Sequence, residues 1–311
     1  MKPTGRMFLG IEIGGTKLQL AIGDTSGKIL EAQRLSVIPG RGATGIRDQI
    51  QRALPDLLAG RKLSAVGVGF GGPVDWRTGR IARSHQIEGW SGFDLAGWLR
   101  ELTGAPVAVD NDANVAALGE AIRGAGASFD PVFYATLGSG VGGGLVLVER
   151  IYHGATPGES ELGHIRLARD GTTLESRCSG WAVDARIREL NTRHPSGLLA
   201  RLSAASVGSE ASHLAEAIRQ ADADARRILN ETAADLAFGL SHVVHLFHPA
   251  VVILGGGLSK VGEPLREAVE VALRPLLMEV FHPAPPVRLT ALGENAVPTG
   301  ALLLAALARA S

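Results

Sequence analysis

The chain has 311 residues, a length that fits roughly two domains at about 150 residues each. Hydrophobic residues make up 45% and charged residues 20%, with 31 Lys+Arg balancing 31 Asp+Glu, which excludes a disordered chain and the global basicity of most nucleic-acid binders. A single cysteine, Cys178, excludes an intrachain disulfide framework; no run reaches ~18 apolar residues and Glu12 interrupts the first apolar stretch, so a cytoplasmic location without signal peptide or membrane span is expected.

Glycine is the outlier, with 41 copies, about 13% against roughly 7% in average usage and without a Gly-X-Y period. Phe8–Gly23 reads as strand, glycine turn, strand, with alternation in Lys17-Leu18-Gln19-Leu20. Gly40–Gly45 is a loop, and the spacing of Ile46–Leu58 predicts a helix in which Pro55 demands a late start or a kink. Ala65–Phe70 is a short buried strand ending in Gly71-Gly72-Pro73, Leu95–Thr103 a helix, Val107–Val109 a strand stopped by Asp110-Asn111-Asp112, and Ala113–Ala125 a helix. Val132–Leu137 and Gly144–Val148 are strands around a second glycine turn, Gly138–Gly143. The segments FLGIEIGGTKLQLAIG and FYATLGSGVGGGLVLV share one plan, which suggests two related halves. Helices follow at Ala182–Leu190, His213–Gln220, Ala223–Leu246 and Pro264–Leu277, with strands at Val251–Leu254 and Val287–Leu289. The apolar helix Thr299–Ala310 closes an α/β chain.

Four motifs carry chemistry. Gly14-Gly15-Thr16-Lys17 either cradles a phosphate with backbone N–H groups or simply turns a hairpin. Gly138–Gly143 matches the dinucleotide pattern G-x-G-x-x-G, but a strand rather than a helix should follow it, so that reading fails on context. Asp110-Asn111-Asp112 suits a helix N-cap, yet two carboxylates exceed what a cap needs, and one at a strand end could act as general base. Glu159, Glu161 and His164 lie in a glycine-containing loop, either solvated or able to bind a polyol; the other eight histidines read as structural or surface residues. No P-loop, H-E-x-x-H, C-x-x-C or G-x-S-x-G motif occurs.

In collinear order, IEIGGTK, VGFGGPVD, VDNDANVAALGE, TLGSGVGGG, ELGH and VVILGGGL resemble the ROK family (repressor, open reading frame, kinase), which includes bacterial glucokinases and related hexose kinases. The resemblance implies a two-lobed, actin-like (ribonuclease H-like) sugar-kinase fold with nucleotide and sugar in a cleft between lobes. Residues 1–112 plus the C-terminal helix, about 297–311, would form one lobe, and 113–296 the other. By the same resemblance Asp112 is the catalytic base, and Asn111, Glu161 and His164 are sugar ligands beside the backbone of Gly72. Gly14, Gly15, Thr16 and Lys17 form the first phosphate loop, with Glu12 near metal and phosphates. Gly138, Ser139 and Gly140 form the second, and Gly256 and Gly257 lie near the adenosine. ATP and Mg²⁺ are the implied cofactors. The implied partners are a small-molecule sugar and a second copy of the chain, without nucleic acid or membrane.

Three departures bear on the substrate. Leu174, Ser176 and Trp181 stand where the family's zinc loop has cysteines, and Cys178 is out of register, so no structural zinc is expected and Trp181 should anchor the loop. Val183 replaces a sugar-binding Glu, with Asp184 next door as a substitute. Gln86 stands where the family commonly has a sugar-binding Asn. The expected activity is ATP-dependent phosphorylation of a hexose or related sugar. Two rivals are a non-catalytic sugar-sensing regulator, disfavoured because seven residues before the first strand leave no room for a helix-turn-helix domain, and a nicotinamide-dependent dehydrogenase.

Overall fold

The structure is a computed structural model and describes residues 6–84, 87–155 and 160–310. Strands β1 (Met7–Ile13), β2 (Lys17–Gly23) and β3 (Ile29–Ser36) precede helix α1 (Gly42–Leu58). Then come β4 (Leu63–Phe70), the short β5 (Val74–Asp75) and β6 (Arg80–Ile81), α2 (Leu95–Thr103), β7 (Val107–Asn111) and α3 (Asp112–Arg123). The chain continues with β8 (Val132–Leu137), β9 (Val141–Leu147), β10 (Arg150–Ile151), α4 (Leu174–Cys178), α5 (Gly180–Arg193), α6 (Leu198–Ser203), α7 (Leu214–Arg219) and α8 (Ala223–Phe247). It ends with β11 (Val251–Gly255), α9 (Glu263–Leu273), β12 (Val287–Leu289) and α10 (Ala296–Ala310). Among the described residues no helix is long and apolar enough to cross a membrane.

Two five-stranded sheets have the same plan, β3-β2-β1-β4-β7 and β10-β9-β8-β11-β12. In the first, β1 pairs antiparallel with β2 and parallel with β4, which runs parallel to β7. In the second, β8, β11 and β12 run parallel. The internal repeat read from the two glycine turns is therefore a repeat of whole sheets. The described residues fall into two compact units, one drawn from Met1–Ser128, Gly144–Ser160 and Glu294–Ser311, the other from Phe129–Gly143 and Glu161–Gly293. This division puts α3 with the first unit, beyond the boundary expected at Asp112.

Every residue of β1 is buried, Glu12 included, as a strand covered on both faces requires. One face packs on α1, whose Ile46, Ile50, Ala53, Leu54 and Leu57 recur at helical spacing. The other face meets α10, which lies close because Gly67 and Gly300 carry no side chain. A Cβ on Gly67 would overlap the Ala301 carbonyl, and one on Gly300 the Val115 carbonyl of α3. The helix over α1 starts earlier than expected and runs through Pro55, which sits in the last turn where its missing N–H breaks one hydrogen bond only. Strand β9 begins three residues before the expected Gly144. Its glycines fit a crowded strand, since a Cβ on Gly144 would come within 2.7 Å of the Ala113 carbonyl.

Candidate active site

In the first unit the parallel strands β1, β4 and β7 end side by side, the edge at which open α/β sheets bind ligands. At the end of β1 the Gly14 N–H bonds the Lys17 carbonyl at 2.9 Å, closing the Gly14–Lys17 turn. At the end of β4 the Gly71 N–H bonds the Ile13 carbonyl at 2.8 Å, and a Cβ on Gly71 would lie 3.4 Å from Asp112 Oδ2 and 3.6 Å from Gly14 Cα. The ends of β1 and β4 thus meet beside the Asp112 carboxylate. At the end of β7 Asn111 is the helix cap: its Oδ1 accepts from the N–H groups of Ala113 and Asn114 at 2.9 and 3.3 Å. Its Nδ2 donates to the Gly72 carbonyl at 3.3 Å. The capping alternative for the Asp-Asn-Asp run therefore falls to the amide.

Asp112 opens α3, half-buried. Loss of solvent is the main force on its carboxyl, the nearby Glu12 charge adds to it, and backbone N–H groups and Lys17 only partly oppose them, so its pKa is pushed up to about 7. Glu12 is itself buried, and burial raises it despite its ion pair with Lys17 Nζ at 2.9 Å and a hydrogen bond from Gln19 Nε2. Lys17, half-exposed, thus holds its ammonium beside two carboxylates, while Thr16 is exposed and gives its carbonyl to the Val37 N–H at 3.0 Å.

The second unit builds its own turn at the end of β8. The Gly138 N–H bonds the Gly140 carbonyl at 2.9 Å, and the first residue of α5, Gly180, donates its N–H to the Gly138 carbonyl at 2.7 Å. Val141 N–H donates to Glu175 Oε2 at 2.9 Å, and a Cβ on Gly140 would collide with that same oxygen. Ser139 is half-buried in this turn. Gly256, at φ +80, brings β11 against it, where any Cβ would strike the Leu137 backbone, and Gly257 follows with open space around it. Glu161 and His164 flank a short 3-10 turn, Leu162–His164, both exposed, with His164 Nε2 3.9 Å from Glu161 Oε2. Gly163 seats this turn on Val141, whose carbonyl a Cβ there would overlap.

The ROK family model matches residues 8–308. The chain belongs to the ROK family. The glucokinase of Thermotoga maritima is 31% identical over 287 residues, covering 88% of this chain and 90% of that protein. The glucokinase of Halalkalibacterium halodurans is 30% identical, covering 94% of this chain and 92% of that protein. A ROK family glucokinase from Streptomyces griseus, solved with glucose and AMPPNP, is 33% identical, with a TM-score of 0.86 over 96% of this chain and 99% of that one. This chain is thus a glucokinase-like ROK sugar kinase of actin-like fold.

The altered loop of this ROK kinase corrects one expectation. Trp181 is 57% exposed and anchors nothing. The loop is held by Leu174 and Cys178, both fully buried, with Leu174 against Gly239 and the Cys178 thiol on the Thr232 carbonyl at 3.5 Å. Ser176 is spent on a capping box with Thr173. Burial pushes the Cys178 thiol up to about 12, so it stays protonated and a poor metal ligand. Asp184 is buried in α5, where it accepts the Ala211 N–H at 2.7 Å. Gln86 and Glu159 lie outside the described residues. Sequence reasoning missed Gly71, Glu175 and Gly180; only the G-G-P run hinted at the first.

Proposed function

We propose that this kinase transfers the γ-phosphoryl group of ATP to a hydroxyl of a hexose, with Asp112 as general base. The observation that carries this reading is the Asp112 carboxyl itself. It is freed from capping by Asn111, lies at a strand end beside the Gly14 turn, and is held at about 7. At that pKa about half of it is ionised at neutral pH, and the ionised form is basic enough to accept the sugar's proton as the hydroxyl attacks. Asn111 keeps one amide N–H beyond its bond to Gly72 and would offer it to a sugar hydroxyl. Glu161 and His164 are the exposed polar pair of the second unit assigned to further hydroxyls.

The glycine turns Gly14–Lys17 and Gly138–Gly140 suit phosphates because glycine lets the backbone approach a ligand closely, and Lys17 adds positive charge. Gly256 and Gly257 are assigned to the adenosine end. Mg²⁺ bound with the nucleotide would neutralise charge on the transferring group, and the Glu12 carboxylate is a hard oxygen donor that fits such an ion. A cytoplasmic homodimer is part of the same proposal. Nucleotide-dependent thermal stabilisation tests it. ATP with Mg²⁺ should raise the melting temperature and NAD should not; the reverse would return the dehydrogenase reading.

A further inference from the structure

Asp110 stands immediately before Asn111 and Asp112, and its side chain is 3% exposed. Its Oδ1 accepts the Asn111 N–H at 2.8 Å and Asn114 Nδ2 at 3.0 Å. Its Oδ2 meets His153 Nε2 at 2.6 Å. A carboxylate oxygen accepts, so His153 Nε2 carries the proton and donates. His153 is 14% exposed and lies flat on Trp76, ring centroids 4.2 Å apart and planes 12° apart, which fixes the imidazole plane. Trp76 is held in turn by Arg77, whose guanidinium lies 5.4 Å from its ring centroid. Asn114, fully buried, turns its amide N–H to Asp110 and leaves its own Oδ1 without a hydrogen-bond partner.

We infer that His153 is a positioning residue: through Asp110 it sets the β7–α3 corner that presents Asn111 and Asp112. Three donors from three places converge on Asp110: the backbone of the corner, the first turn of α3 and the segment after β10. Removing His153 leaves a buried oxygen unpaired one residue from Asn111, and the carboxylate must rotate or draw in water. Either motion is passed to Asn111 through its N–H, and so to the Asp112 carboxyl. A misplacement of about 1 Å at a reacting group can cost on the order of 10²-fold in rate.

This inference rests on Asp112 being the base. The test compares His153→Leu, which fills similar volume beside Trp76 without a donor, with His153→Gln, which restores one. Hexose phosphorylation is assayed well below each variant's melting temperature, with Asp112→Asn in parallel. His153→Leu should lower kcat by about 10- to 100-fold with the KM for ATP within about twofold, and His153→Gln should recover most of it. A purely stabilising role would lower the melting temperature and leave kcat intact in both, which overturns the inference. If His153→Leu does not fold, His153→Gln carries the test alone, and a loss of about tenfold or more in its kcat overturns the donor role. Near-normal turnover in Asp112→Asn would instead overturn the assignment of the base, a separate failure.

Discussion

Asp112→Asn should move activity and stability in opposite directions. A carboxyl held at about 7 rather than its usual 3.8 binds its proton more tightly in the folded state. Folding is therefore favoured most below pH 4, and that advantage is lost as pH rises from about 4 through about 7. At about 1.36 kcal/mol per pH unit the full loss is about 4 kcal/mol, and about 2 kcal/mol once the solvated part of this half-buried group is discounted. Asparagine never ionises and avoids the loss. The variant should therefore melt a few degrees above wild type at pH 8, with a smaller difference at pH 5. Its kcat should fall by roughly 10²–10⁴ because the base is gone, while ATP affinity persists. Thermal denaturation at the two pH values and steady-state kinetics check both halves. Near-normal turnover would return Asp112 to the helix N-terminus as a structural charge. A variant less stable at pH 8 would show that the carboxylate helps the fold through the α3 dipole.

The wild-type kcat/KM should fall on the acid side with an apparent pKa near 7, and Glu12→Gln should move that limb to lower pH because a neighbouring negative charge is lost; an unmoved or raised limb refutes the coupling. Gly140→Val should weaken ATP binding by roughly tenfold or more, since the new side chain displaces Glu175 from the Val141 N–H; unchanged nucleotide affinity by titration would mean the turn only links strands. Leu174→Ala should cost about 2–5 kcal/mol in denaturant unfolding, and Trp181→Ala within about 0.5 kcal/mol. Elemental analysis should find no stoichiometric zinc, and about one zinc per chain, lost together with folding on chelation, would contradict the reading of this loop. A screen across hexoses and amino sugars should find a preference unlike a typical glucokinase, and a low KM for glucose with no better substrate would refute it.

The strands that frame the site were legible because each is an apolar run ended by glycine or by the Asp-Asn-Asp corner. Burial on both faces of β1 and β4 leaves Glu12 and Ser64 as their only polar residues. Strand β3 was not legible, since ILEAQRLS lies at the sheet edge and leaves Leu30, Glu31 and Ala32 exposed. Nor was α4, five residues long, too short for a period to show. Trp181 misled because size says nothing about direction: it is the second residue of α5, a turn capped by Ser179, and it points to solvent. His153 gave no signal at all, because what makes it informative is a carboxylate 43 positions away.

The central claim is tested most directly by coupled ADP release with purified protein, ATP, Mg²⁺ and a panel of hexoses, with the phosphorylated sugar identified by mass. The account predicts sugar-dependent ADP release in wild type that Asp112→Asn abolishes while still binding ATP. Sugar binding without ADP release under any of these conditions would contradict it and leave a sensor in place of a kinase.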